Sequence, residues 1–341
     1  MKNFCSFCIL ICMANIFIIN SAFAGEKAFG GSIGTEVWYS AWECENQWDK
    51  VGVNLDYNIE PAFIYGYSTS FNFVKDKKLI TGVALDMLTS AMEYETNENA
   101  FAGNSHDQGA YRKIRANICQ NIGENGYFHI AIMHGKFEGE VRVENGGSAL
   151  GVPDGTSWDL ETEWFKADVM FMGGSKEGMA GIGFRYISYS KPETTSIFVA
   201  TGSEEGLMVS GDLISGEVVE TKFDGYYLVL GIWDNSFIGL PTDSWLFYDF
   251  KAFLGVAKIK NELIDKSDGF GGGIEGALGI KYSYRISKNS WITAKLGYRA
   301  LYNKMSVSDK ITEDENGNEV FRISETIDLW HGPFFGINLY F

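Results

Sequence analysis

The residues with chemistry to offer in this chain are four histidines, two cysteines outside the amino-terminal stretch, an acidic run and a series of alternating charges. His106 stands beside Asp107, a pair that could serve as base and orienting carboxylate in a surface hydrolase. No nucleophile is fixed beside it, and no catalytic residue is assigned. His129 and His134 are five residues apart, whereas two ligands on one face of a strand stand two apart, so they do not read as a metal site. Asp309, Glu313, Asp314 and Glu315 precede Asn316-Gly317; the run could hold a divalent cation, and more simply reads as a solvated loop. Phe270-Gly271-Gly272-Gly273 is followed by no helix, so it is not a phosphate loop; it reads as a bend or twist in a strand at a barrel rim. No metal and no cofactor is expected.

The alternating charges are more informative. Asp249, Lys251, Glu275, Lys281, Arg285, Lys295 and Arg299 fall on one face of three neighbouring carboxy-terminal segments, and Asp86 and Arg185 lie similarly on earlier ones. The opposite face is apolar throughout. Lys281 and Lys295 lie close across a tight connection, an unfavourable placement unless an acid bridges them or solvent screens them. In a chain of net charge −16, a wall rich in Lys and Arg is a separation of charge that would attract small anionic solutes. The alternative is an ion-paired network, with Glu275 and Asp249 as partners, that plugs the interior.

Positioning such a wall requires strands. Forty glycines, five prolines and 15% aromatic residues are unusual for a helical protein, and strict alternation recurs instead. The even positions of 274–286 read Ile, Gly, Leu, Ile, Tyr, Tyr, Ile, while Glu275, Lys281 and Arg285 fall on the odd ones. After Ser287-Lys288-Asn289-Ser290 the pattern resumes from Ile292 to Tyr302, a hairpin of two membrane-length strands. Strands are expected near 29–42, 54–74, 79–93, 126–143, 157–172, 178–190, 194–202, 223–234, 245–259, 273–286, 291–303 and 329–341. The expected fold class is therefore all-β, a transmembrane antiparallel up-and-down barrel of about 12 strands. Fourteen is the alternative if 126–143, whose apolar parity shifts near His134, is two strands. Within 94–125, Ile114, Ile118 and Ile122 fall at helical spacing, so 110–119 of this external loop reads either as a short helix or as an ordinary ordered loop. With both termini in the periplasm, long connections fall outside and short ones inside; 144–156 and 235–244 are longer than ideal, and 173–177 is short.

Residues 1–24 carry Lys2, an apolar run from Phe4 to Ile19, and Ala22-Phe23-Ala24 before Gly25, the pattern of a secretory signal peptide. Residues 25–341 then form one barrel domain. Loss of Lys2 makes the remainder one unit more negative, which argues against nucleic acid as a partner. The two remaining cysteines, Cys44 and Cys119, are expected to form a disulfide between the first two external loops.

The chain ends on Leu329, His331, Pro333, Phe335, Ile337, Leu339 and Phe341, alternating with small or polar Gly332, Gly336 and Asn338. This resembles the carboxy-terminal signal of Gram-negative outer-membrane β-barrel proteins in general, with Phe335, Ile337, Leu339 and Phe341 in the signal positions. The resemblance covers that strand alone and implies the bacterial outer membrane as location, its lipid and lipopolysaccharide as surroundings, and the barrel-assembly machinery as a partner during insertion. The function expected is a narrow porin-like channel or small-solute binding barrel. A closed structural or adhesion barrel acting through its external loops is the alternative, and an external-loop hydrolase comes third.

Overall fold

The computed structural model describes residues 27–48, 53–75, 78–98, 103–142, 157–174, 178–193, 219–234, 244–261, 264–287, 290–307, 312–313, 319–320 and 325–341. Its elements are β1 (Lys27–Trp48), β2 (Val53–Lys75), β3 (Lys78–Glu98), β4 (Gly103–Asn121), β5 (Gly126–Arg142), β6 (Ser157–Gly174), β7 (Met179–Glu193), β8 (Val219–Trp233), β9 (Leu246–Asn261), β10 (Ile264–Ser287), β11 (Ser290–Val307), β12 (Thr312–Glu313), β13 (Glu319–Val320) and β14 (Glu325–Tyr340). The strands β1–β11 and β14 close into a twelve-stranded antiparallel barrel, each beside its sequence neighbour, and β14 returns to pair with β1. Strands β12 and β13 form a separate two-stranded hairpin. The ladder at the seam reaches the last residue, where Gly31 and Phe341 exchange both backbone hydrogen bonds, at 2.8 and 3.0 Å. Full closure removes the free edges that an open sheet would expose.

The count of twelve agrees with expectation, but one strand lies elsewhere. Residues 103–121 form β4, not a loop carrying a helix. The reason is arithmetic: Ile114, Ile118 and Ile122 are four apart, a spacing that fits one helix face and, being even, one strand face equally well. The strand expected at 194–202 lies outside the described residues, as do the leader at 1–24 and the acidic residues Asp309, Asp314 and Glu315; Glu313 lies in β12. Including β4 reverses the parity of β5, β6 and β7. Segment 143–156 then belongs to the end bearing the long connections, and 175–177 to the end bearing the termini, which removes two of the three misfits. Segment 235–244 remains long for its end.

Alternation holds on every wall. Outward positions are apolar, as in Phe71 of β2, Phe184 of β7, Leu254 of β9 and Tyr282 of β10, each at least 66% exposed. Strand β5 pairs continuously with β6 from Gly126 to Arg142, so it is one strand and not two. The parity change near His134 has a physical cause: below it the outward residues are Phe128, Ile130 and Ile132, above it Lys136 and Glu138, while Phe137 turns inward and is fully buried. The strand leaves an apolar belt at that level. His134 itself faces outward and meets Glu163 at 2.5 Å.

Candidate functional site

The inward face of the barrel is filled in layers. Toward the end that bears the long connections, Trp42 of β1, Tyr111 of β4, Phe137 of β5, Trp164 of β6 and Trp330 of β14 converge. Trp42 and Trp330 stack at 4.7 Å with 12° between planes, and the Trp164 edge meets Trp42 at 5.7 Å and Tyr111 at 6.0 Å. Strands β1 and β6 are five steps apart in a ring of twelve, nearly opposite, so these rings meet across the lumen. Trp42 Nε1 donates to Asp328 Oδ1 at 3.2 Å, which satisfies its polar atom.

Below the rings lies a network of charges. Asp168 and Arg185 are register partners on β6 and β7, and the guanidinium donates twice, Nε to Oδ1 at 2.7 Å and Nη2 to Oδ2 at 2.8 Å. Nη2 also donates to Glu275 Oε1 at 2.7 Å. Lys251 Nζ reaches the same Oε1 at 2.9 Å, and Lys166 Nζ reaches Glu275 Oε2 at 2.7 Å. Arg185, Asp168 and Lys251 are buried, and Arg185 lies over the Phe253 ring at 4.6 Å. Geometry of this kind, with two forked bonds and a shared carboxylate, is what allows charges to remain away from water. Glu275 is the hub: it binds cations from three different strands.

Two further pairs complete the wall. Arg299 donates to Glu36 Oε1 at 2.6 Å and Oε2 at 3.1 Å, bridging β11 to β1 past β14, and its guanidinium lies between the Phe334 and Trp38 rings at 4.7 and 5.4 Å. Lys281 is ion-paired to Asp234. Lys281 and Lys295 are direct register partners, and the repulsion foreseen between them is met by Asp234 on one and by the Phe247 ring, 5.6 Å from Nζ, under the other.

A cavity of 420 Å³ remains, lined on one side by Ser68, Ser70, Gly82, Ala84, Asp86, Lys113, Arg115 and Asn117 of β2–β4 and on the other by Lys166, Arg185, Asp249, Lys251, Glu275, Lys295 and Arg299. Seven of the nine expected wall residues, Asp86, Arg185, Asp249, Lys251, Glu275, Lys295 and Arg299, therefore line one cavity. Lys281 is buried beside it in its own ion pair. Arg285 lies at the terminal rim, exposed, donating to the Ser287 carbonyl at 3.0 Å and 5.6 Å from the Trp291 ring centre. The wall is not an arc of unopposed cations. Glu36, Asp168 and Asp234 balance it, and these come from strands distant in sequence, where alternation marks a face but not a partner. Asp249 faces Arg299 electrostatically without an ion-pair contact among the described residues, and its Oδ1 has no hydrogen-bond partner among them.

The disulfide is not formed. Cys119 is a free, buried thiol on the inward face of β4, two residues from its turn to β5, while Cys44 lies near the opposite end of β1, opposite Asp328 in register. They were expected together because 94–125 was read as one loop; as a strand it carries Cys119 down the barrel. His106 and Asp107 lie within β4, and their side chains are outside what the structure describes. His129 is a fully buried lumen residue, and no metal-binding cluster is found among the described residues.

The glycines of 270–273 have a packing role. A Cβ on Gly273 would lie 2.6 Å from the Phe253 ring, and one on Gly271 would lie 2.8 Å from Tyr227 Oη. They make room for neighbouring rings, and β10 runs through them in unbroken register with β11.

No family model matches this chain, and no curated protein matches it. Among solved structures it is similar to the transport unit of the autotransporter AIDA-I from Escherichia coli, with 10% identity, 90% of this chain and 89% of that one covered, and a TM-score of 0.41. It is also similar to the outer membrane protease OmpT from E. coli (10% identity, 94% and 98%, 0.35) and to the P. putida toluene transporter TodX (8%, 94% and 90%, 0.38). The barrel itself is read from the strand pairing, which closes without them.

Proposed function

We propose that the protein is an outer-membrane β-barrel that holds a small polar solute in its lumen and does not conduct freely. The observation that carries the closed lumen is the meeting of side chains across it, Trp42 with Trp164 at one level and Lys166 with Glu275 at another. A barrel of twelve strands stands between those filled by side chains and those holding open channels, and the large inward residues support the filled reading. The membrane reading rests on the outward face. A continuous belt of exposed Phe, Tyr, Leu and Ile around a ring whose interior is charged is the inverse of a soluble protein, and its favourable surroundings are lipid. In this reading the long connections face outward from the cell among lipopolysaccharide. The terminal stripe Phe335, Ile337, Leu339 and Phe341, all outward-facing and exposed, is then the segment presented to the assembly machinery.

A second reading, a narrow porin-like channel, is favoured by the extent of the cavity lining, which continues from Ser32 past the charge network to Asn303. Conductance separates the two. Folded 25–341 in a planar bilayer is expected to show no steady single-channel current, and Trp42→Ala combined with Glu275→Ala is expected to open one. Steady current from the unaltered protein establishes the channel instead.

A further inference from the structure

We infer that Lys113 and Arg115 form a binding site for a small oxyanion, a phosphate or carboxylate group, inside the lumen cavity. The site rests on the closed-lumen reading above and adds to it the chemical class of the solute.

Lumen cations fall into two groups. Lys166, Arg185, Lys251, Lys281 and Arg299 each have a carboxylate at ion-pair distance. Lys113, Arg115 and Lys295 line the same cavity and make no ion pair with any described residue; Lys295 lies over the Phe247 ring, which leaves Lys113 and Arg115 as the neighbouring pair on one strand. The electrostatic neighbours of Lys113 are the cations Lys166, Arg299 and Arg115 against the carboxylates of Glu275, which is already shared by three other cations, and Asp86, which also faces Arg115 and Arg299. Asp86 is opposite Arg115 in register and offsets one of the two charges. Two cations beside this one carboxylate leave a net positive charge on this part of the cavity wall. Like charges gathered in a wall of restricted solvent access are unfavourable unless an anion joins them.

The spacing suits one ligand. Residues two apart on a strand face project side by side about 7 Å apart, a distance over which two long side chains can close on one group. An arginine offers a planar fork matched to carboxylate and phosphate oxygens, and a lysine adds a mobile point charge. The cavity has a volume of 420 Å³, and Ser68 and Asn117 on its wall offer further hydrogen bonds.

The experiment is equilibrium dialysis of radiolabelled inorganic phosphate against the folded, detergent-solubilised barrel at constant ionic strength in potassium chloride. Folding of every variant is checked by its shift on unheated gels. One saturable site per barrel is expected, with affinity at least tenfold weaker in Lys113→Gln and in Arg115→Gln. The outward Arg112→Gln/Lys136→Gln variant is expected to bind as the parent does. Saturable binding lost only in that outward pair would assign the phosphate to surface groups that meet lipid headgroups and overturn the lumen site. Absence of saturable binding, or equal binding in all variants, overturns it too. The closed-lumen reading fails separately, by conductance, in a bilayer without phosphate.

Discussion

The two walls of the lumen are built differently. From β6 to β10 the inward face carries Met170, Tyr227, Trp233 and Phe253, all buried, and Lys166, Asp168, Arg185, Lys251 and Glu275 interlock among them. On the terminal half of β1–β4 it carries Ser32, Gly34, Ser68, Ser70, Gly82, Ala84 and Asn117, with Lys113 and Arg115 left without ion pairs among the described residues. Both walls alternate equally well. The difference is one of volume and of charge partners: the first wall is a packed core turned inside a barrel, and the second leaves room. Packed interiors tolerate little change in shape, whereas a void lined by polar atoms is where a ligand or water must enter. The proposed solute site accordingly lies on the wall with the smaller side chains.

Replacing the hub should separate the walls most sharply. Glu275→Gln leaves Lys166, Arg185 and Lys251 with only Asp168 among them, and loss of one member of a buried ion network is worth about 3–5 kcal/mol. Asp86→Asn on the other wall should cost clearly less, because Asp86 is half-buried and makes no ion pair with a described residue. Urea unfolding from lipid vesicles measures both, and equal losses would erase the distinction. Trp42→Ala removes the ring that touches Phe137, Trp164 and Trp330; a loss of about 3 kcal/mol is expected by the same assay, in the usual range for a buried aromatic.

Overpacking tests the same contrast from the opposite direction. A Cβ on Gly225 would lie 2.3 Å from ring carbons of Tyr227, so Gly225→Leu should cost about 1–3 kcal/mol. Ala84→Leu on the roomy wall should change stability by less than about 1 kcal/mol while weakening phosphate binding, because it fills the cavity beside Asp86. The smallest effect concerns the cysteines. Peptide mapping without reductant should find Cys119 as a free thiol, and reductant should leave the unfolding midpoint where it is. A Cys44–Cys119 peptide would contradict the placement of β4.

Much of this architecture is visible in the chain because a period of two is a strong constraint. Glu275, Lys281, Lys295 and Arg299 could be assigned to one face, and Ile274, Ile280 and Leu296 to the other, from alternation alone. Lys113 and Arg115 were hidden by a coincidence of periods: four-residue spacing satisfied a helix as well as a strand, and the basic residues of 112–115 then carried no inward assignment. The glycines of 271–273 were visible but not interpretable, since their role depends on Tyr227 and Phe253 arriving from other strands.

By itself, then, the sequence determined the class of fold and which side of most strands faces inward, since each of these is local to a strand or to its nearest turn. Only the tertiary structure decided who meets whom across the lumen. Lys166 binds Glu275 at a separation of 109 residues and Arg299 binds Glu36 at 263, and such pairs depend on the closure of the ring and the stagger of its strands. The same closure brought Trp42 against Trp164 and left Lys113 and Arg115 beside empty space.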